Sequence, residues 1–592
     1  MCRIFGYISN NYMIEDEIIE RVKEAQLTGG PDEQIICRIS DSALIANNRL
    51  NIQDITRGKQ PFILNNVYAV FNGELYNHRE LKYYLSDLGY KFKTDTDGEI
   101  ILPLYLEYGL DFIKYLDGMF CIALYDNNDK KLIIATDSFA IKSVYYAKDS
   151  KKFCFSSDIK GIHEFGFTNS RQFTDIKIDN YLVGRSIWGD NTFFDNIKTL
   201  KPCQILVIDH QLNIESLNYR TNISSGASPY SLNEAALSLH HIMEQEVASM
   251  IKADVPSCIV LSGGLDSSYI AALMKRQVDK LDAFHVCYDV KWKDDERIYA
   301  AEVAKHIGAN YHEIVLKASD MVDLLDGMID NIGVPNTAPH SLAAYALFKH
   351  IRNYGYKVAF AGEGSDEIFC GYKRFSQVTF DTSSAWISNY FSLFSVNTLA
   401  SIRQYYARDF LEKVSISKDD YYNFFCANLQ GVLSPENKIN KLLEIEQNLR
   451  FPNYILRRTD HLSMAVSLEV RLPFCQPKVK SFANKLPMKL KLDFENQKKV
   501  LLKAASGLVP SIVLQRKKQP FTLPVLNLLK QDINFKNYIQ DNLKSNRFLK
   551  KYFAINKLLE DLNDDLDDKQ ADVIWAILVL GLWMNKNLIV NL

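Results

Sequence analysis

The chain has 592 residues, 47% of them hydrophobic and 24% charged, with a formal net charge of -2, which fits a globular protein of about two to four domains. That balance excludes an electrostatic case for nucleic acid or an anionic membrane surface as partner. The ten cysteines form no C-x-x-C pair, which excludes zinc-ribbon and dithiol redox classes. The longest apolar run, 573–584, falls short of the ~20 residues of a membrane span and predicts a buried helix. With no secretory pattern at the start, a reducing cytoplasmic location is the expectation.

In chain order, the first ~210 residues read as strand-rich. Alternation and β-branched content predict strands at 67–71, 119–125, 131–135 and 203–208, with helices at 77–88 and 98–108. Residues 221–231 are rich in Ser, Gly and Asn and predict a linker. A helix follows over 233–251, then a strand at 258–261, a Gly/Ser loop and a helix at 268–278. A strand at 283–288, a helix at 296–307 and a strand at 357–360 continue the alternation. This pattern predicts a parallel α/β sheet with ligands at the strand ends. From about 383 onward the pattern is helical. The domain reading is 2–215, a linker at 216–231, and 232–592.

Cys2 carries the first chemical signal. With Met1 removed, its thiol shares a residue with an α-amino group of pKa about 7.7–8.0, a base for its own nucleophile. In the same half, Asn72-Gly73 after a strand can supply an amide and a backbone N–H to an oxyanion. Arg49 can grip a carboxylate, and Asp97 can receive an ammonium.

The strongest motif is Ser262-Gly263-Gly264-Leu265-Asp266-Ser267-Ser268, between a strand and a helix. Glycines admit phosphate oxygens close to the backbone, the helix N-terminus supplies N–H donors, and Asp266 is a hard ligand for Mg²⁺. No Walker A lysine follows. A second loop, Ala361-Gly362-Glu363-Gly364-Ser365-Asp366-Glu367, gathers acidic residues at another strand end. Asp366 is a second Mg²⁺ candidate and Glu363 an acid/base candidate. The basic run at 516–521 reads either as a solvated face or as a cation, Lys518, reaching a phosphorus centre; spacing alone does not choose.

Together these segments resemble the glutamine-hydrolysing asparagine synthetases over essentially the whole chain. The N-terminal anchors are Cys2, Gly30-Pro31-Asp32, Arg49-Leu50, Phe71 to Asn77 and Thr94 to Asp97. The C-terminal anchors are Asp254-Val255-Pro256, the 262–268 and 361–367 loops, Ser467 to Phe474 and Arg516-x-Lys518-x-x-Phe521. The resemblance implies a class II glutamine amidotransferase domain, an N-terminal-nucleophile αββα sandwich. It implies next a parallel-sheet α/β ATP-pyrophosphatase domain with a helical C-terminal portion.

By the same resemblance, Cys2 attacks glutamine, Asn72 and Gly73 form the oxyanion hole, and Arg49, Glu74 and Asp97 hold the amino-acid end. Val260, Val286, Ala361 and Gly362 line the adenine site, and Ser262, Gly263, Gly264, Leu265, Asp266, Ser267 and Ser268 bind pyrophosphate. Asp266 and Asp366 hold Mg²⁺, Glu363 assists ammonia, and Lys518 steadies charge at phosphorus. ATP and Mg²⁺ are the implied cofactors. Glutamine and aspartate or another carboxylate are the implied small-molecule substrates, with room for a homodimer.

Departures from the family pattern are Arg3 after Cys2, Asn48 before Arg49, Ala140 where a glycine is usual, Ala361 for serine, and Cys475-Gln476 for Leu-Asp. They keep open an acceptor other than aspartate, with Cys475 and Gln476 expected near its pocket. Two further rivals are a non-catalytic homologue, disfavoured by the retained Cys2, Asp266, Glu363, Asp366 and Lys518, and an intramolecular cyclase, disfavoured by Cys2.

Overall fold

The computed structural model describes residues 2–219, 230–417, 420–516, 519 and 522–588. Two antiparallel sheets form the N-terminal half. One runs in the spatial order Lys198–Thr199, Tyr145–Lys148, Lys152–Ser156, Cys2–Ser9, Ala43–Arg49, Glu33–Ser40. The other runs Ile214–Asn218, Gln204–Ile208, Lys131–Thr136, Gly118–Asp126, Val67–Leu75, Phe62–Leu64.

Alternation along each strand explains the layers. Ile4, Ile8 and Ile45 of the first sheet pack against Val70, Ala123 and Ile134 of the second, a core between the sheets. Phe5, Tyr7 and Leu44, on the opposite face, pack with Ile19, Val22, Ile159 and Ile162 of flanking helices. Ala69, Phe71 and Ile122 face helical Leu81, Leu85, Ile101 and Leu104. The result is the helix–sheet–sheet–helix sandwich of N-terminal-nucleophile amidotransferases.

The strand Cys2–Ser9, absent from the sequence reading, is buried throughout. Its register places Cys2 opposite Arg49 and Arg3 opposite Asn48. The expected helix at 98–108 begins as a 3₁₀ turn, Asp97–Ile100, before the α-helix Ile101–Tyr108.

The C-terminal half carries a parallel sheet in the order Asn310–Leu316, Asp282–Tyr288, Ser257–Val260, Val358–Phe360, Glu469–Arg471. Its first and last strands escape the sequence reading. The chain leaves Ser257–Val260 toward one edge and returns at Val358–Phe360 on the other side. This topological switch opens a crevice at the carboxyl ends of the strands. Many helices follow, ending in Asp568–Asn587, whose buried face includes Trp575 and Trp583. No helix among the described residues is long and apolar enough to cross a membrane. Part of the stretch read as a linker, 220–229, lies outside the described residues.

Polar contacts join the halves. Lys357 Nζ bonds Asp32 Oδ2 at 2.7 Å, and Tyr145 Oη bonds His461 Nε2 at 2.8 Å. Arg471 Nη2 lies 3.3 Å from Glu74 Oε1.

Candidate active site

Cys2 opens its strand with the side chain buried. Its Sγ accepts from Asn47 Nδ2 at 3.7 Å and Gln60 Nε2 at 3.5 Å. Burial pushes the thiol up, with Arg49 and the Asn47 amide pulling it down. Gln60 is fixed in turn by Phe71, accepting from its N–H at 2.7 Å and donating to its carbonyl at 3.1 Å. Asn47 and Gln60 have no motif signal; the register across from Cys2 and the fold of 60–71 place them.

Asn72 Oδ1 accepts from Cys2 N at 3.3 Å, and its buried Nδ2 has no partner among the described residues. An unpaired buried amide donor beside a thiol is what a developing oxyanion needs. At Gly73, φ is +151° and a Cβ would meet Met119 O at 2.0 Å, so only glycine fits.

Arg49, Glu74 and Asp97 are all buried. Arg49 donates to Gln53 O at 3.1 Å and Asp54 O at 2.8 Å, and lies 3.5 Å from Glu33. Asp97 accepts from Leu75 N at 2.8 Å and Gly98 N at 3.0 Å, so it fixes the backbone next to Glu74. Burial, with Glu469 nearby, pushes the Glu74 carboxyl up to about 8, against the pull of Arg471.

The second centre lies in the sheet crevice, in a cavity of about 630 Å³. Val260, Ser262, Asp266, Ser267, Val286, Ala361, Gly362, Glu363 and Asp366 all line it. Gly263 (φ +73°) turns the loop where a Cβ would meet Ala300 N at 2.5 Å, and Gly264 caps the helix Leu265–Lys275. Ser262 Oγ and Ser267 Oγ are 3.0 Å apart. Gly263, Gly264, Leu265 and Ser268 shape the turn and the first helical residues without lining the cavity.

Lys498, which sequence reasoning missed, joins the two loops. Its Nζ is 2.7 Å from both Asp266 oxygens and 2.6 Å from Asp366 Oδ1. Ser365 Oγ adds a bond to Asp266 Oδ1 at 2.9 Å. Gly371 permits the approach: a Cβ there would meet Asp366 Oδ1 at 1.8 Å and Lys498 Cε at 2.0 Å. Two carboxylates converging on one cation suit Mg²⁺, which keeps waters and phosphate oxygens for its remaining positions. Among the described residues there is no group of three His, Cys, Asp or Glu poised to hold a metal by protein ligands alone.

Burial pushes the Glu363 carboxyl up, with Arg458 opposing. Cys475 and Gln476, expected near the acceptor pocket, do not line the cavity. Cys475 sits behind the loop, donating to Glu363 O at 3.6 Å, and Gln476 turns back to Leu472 O at 3.3 Å. Lys518 lies outside the described residues; Arg516, from the same run, reaches Gly263 O at 3.5 Å and Glu296 at 2.7 Å.

Residues 238–585 match the family model for asparagine synthase, and residues 1–219 match a glutamine amidotransferase domain. The chain belongs to the asparagine synthase family. Asparagine synthetase [glutamine-hydrolyzing] 1 of Bacillus subtilis is 25% identical, over 99% of this chain and 97% of its own. Asparagine synthetase [glutamine-hydrolyzing] 3 of the same organism is 25% identical, over 88% and 87%. Amidase chry2 of Gibberella zeae is 26% identical, over 80% of each chain. Membership makes the chain a glutamine-hydrolysing amidotransferase of this ligase family and implies glutamine and ATP as substrates.

Proposed function

We propose that the chain makes asparagine from aspartate, using ammonia from glutamine and cleaving ATP to AMP and pyrophosphate. In this reading Cys2, freed as the N-terminal residue, attacks the glutamine amide carbon, and Asn72 Nδ2 and the Gly73 N–H receive the oxyanion. Arg49, Glu74 and Asp97 form and brace the subsite for the amino-acid end of glutamine. The released ammonia is used in the second centre.

There the aspartate side-chain carboxylate attacks the α-phosphorus of ATP, forming β-aspartyl-AMP and releasing pyrophosphate. Ammonia then attacks the acyl carbon and AMP leaves. Val260, Val286, Ala361 and Gly362 receive adenine, and the 262–268 loop the pyrophosphate. Mg²⁺ held by Asp266 and Asp366 would neutralise phosphate charge. Lys498 then turns from the carboxylates to phosphate oxygens, and Lys518 adds a second cation at phosphorus. Glu363, its carboxyl raised by burial, takes a proton from the attacking ammonia.

The observation that carries the reading is the convergence of Asp266 and Asp366 on Lys498 Nζ within 2.7 Å, at the mouth of two Gly-rich strand-end loops. A second reading, amidation of another carboxylate by the same chemistry, is favoured by the amidase relatives. Amidase chyE of Penicillium rubens is 30% identical, over 55% of this chain and 51% of its own. Aspartate-stimulated release of pyrophosphate and AMP, with asparagine identified as product, tests the first reading. Stimulation only by a different acid transfers the assignment to the second.

A further inference from the structure

Beyond Glu363, the cavity holds two side chains of opposite charge that the chemistry above does not use: Arg185 and Asp572. Arg185 follows the helix Ile176–Gly184 at φ +65°. Its Nε donates to Phe394 O at 3.0 Å and its Nη2 to Ser395 O at 2.8 Å. Those carbonyls fix the plane of the guanidinium without neutralising it. Asp572 stands near the start of the helix Asp568–Asn587. Among the described residues, no ion pair forms at either side chain and no hydrogen bond reaches the Asp572 carboxylate. Burial pushes that carboxyl up to about 6, with Arg185 pulling it down, so the two groups feel one another across the cavity.

Several charged neighbours in the wall are paired, and Lys373, which also lines the cavity, is exposed. Arg374 and Arg450 share Glu446 at 2.6 and 3.1 Å, and Tyr372 donates to Glu367. Arg458, beside Glu363, bonds His340, and its Nε has no partner among the described residues. Arg458 and Arg185 both hold His340 in its neutral form, below its ordinary range, adding to the effect of burial. The unpaired pair and the Glu363 end therefore belong to one chamber. Partly desolvated charges kept apart are costly, and a ligand carrying both complementary charges removes the cost at both.

We propose that Arg185 and Asp572 form the subsite for the non-reacting end of the acceptor, its carboxylate on Arg185 and its ammonium on Asp572. The acceptor is then an α-amino dicarboxylic acid that presents its side-chain carboxylate toward Glu363 and ATP. This rests on the acyl-adenylate reading above. A plain or aryl carboxylic acid leaves Asp572 unmatched.

The test measures pyrophosphate release by the full chain with ATP, Mg²⁺ and excess ammonia. Aspartate, glutamate and 2-aminoadipate are each paired with the analogue lacking the amine: succinate, glutarate and adipate. Benzoate serves as the aryl acid. At least one amino diacid should exceed its partner by about ten-fold or more in kcat/KM, because a site built for a polar group discriminates strongly against its absence. Asp572→Asn should bring that ratio close to one. Arg185→Met should raise KM for the amino diacid, and Arg185→Lys should restore part of the loss; melting temperatures read folding separately. Equal rates for amino and desamino acids, preference for benzoate, or a ratio unmoved by Asp572→Asn overturns the subsite and leaves the acyl-adenylate chemistry standing. Failure of every acid to stimulate release above the blank refutes the underlying reading for these acceptors, and the subsite with it.

Discussion

Arg3 and Asp460, 457 positions apart, meet at 3.0 Å across the boundary between the two halves, each side chain almost wholly buried. Lys142 reaches the other oxygen of Asp460 at 3.2 Å. The side chain that follows the candidate nucleophile therefore points away from it, into the helix Arg457–Met464 that also carries Arg458. Despite burial, Lys142 and Arg3 hold the Asp460 carboxyl down at about 2. Its stabilising effect is thus present above the unfolded value of 3.8 and is lost as pH falls through about 2. Asp460→Asn leaves two buried cations without their anion, which should cost about 3–5 kcal/mol. Arg3→Met keeps Lys142 on Asp460 and should cost less. Denaturant midpoints of both variants at pH 7 measure this; equal stability of Asp460→Asn and wild type would remove the ion pair from the forces holding the halves together.

What the sequence made legible follows from locality. The strand at 67–71 leads directly into Asn72-Gly73, and the strand at 258–261 into the 262–268 loop, so pattern and motif are adjacent and reinforce one another. Glu469–Arg471 is a strand of charged ends that reads as no strand at all. Its buried Arg471 is paired with Glu469 at 2.5 Å and with Glu74 from the other half, and also donates to Met250 O. Lys498 is similarly silent: its neighbours Gln497 and Lys499 give no signal, and only folding brings it to Asp266, 232 positions away. Partners distant in sequence are what a local reading cannot supply.

Ala140 stands at φ +53°, where the family pattern has glycine. The turn is held by Asp137, which accepts from Phe139 N at 2.8 Å and Ile141 N at 3.0 Å. An L-residue in that region costs about 1–2 kcal/mol, partly offset by alanine's smaller unfolded-state freedom. Ala140→Gly should therefore stabilise the chain slightly, by up to about 1 kcal/mol. A thermal melt of the variant checks the sign; a lower melting temperature would mean that packing of the alanine methyl outweighs the strain.

Glu246, which does not line the cavity of the second centre, offers a pH test. Burial raises its carboxyl to about 7, with Lys478 opposing, the nearest Lys478 contact being 3.8 Å. A raised carboxyl binds its proton more tightly in the folded state. Its contribution is present below 4.5 and is lost as pH rises through about 7. Glu246→Gln removes that titration. The variant should match wild type near pH 4 and exceed it by about 1–3 kcal/mol at pH 8. Denaturation curves at the two pH values decide it; a constant difference would mean that Glu246 does not titrate in this window.

Lys498 makes the sharpest prediction about the second centre. In the free chain its ammonium separates Asp266 from Asp366, two carboxylates that would otherwise repel. Lys498→Met should lower the stability of the free protein, because both carboxylates lose the ammonium that lies within 2.7 Å of each. It should also slow AMP formation by about 100-fold or more, the scale on which a lost charge-stabilising donor acts. On the proposed reading, Asp266 and Asp366 would hold Mg²⁺ supplied with ATP, which would offset the missing charge but not replace the lysine at phosphate. The thermal shift on adding Mg²⁺ and ATP should therefore be larger in Lys498→Met than in wild type, while AMP formation stays low. Gly371→Ala, whose added methyl collides with both Asp366 and Lys498, should lose activity without gaining that enlarged shift. A Lys498→Met protein with wild-type AMP formation would confine the lysine to a structural role.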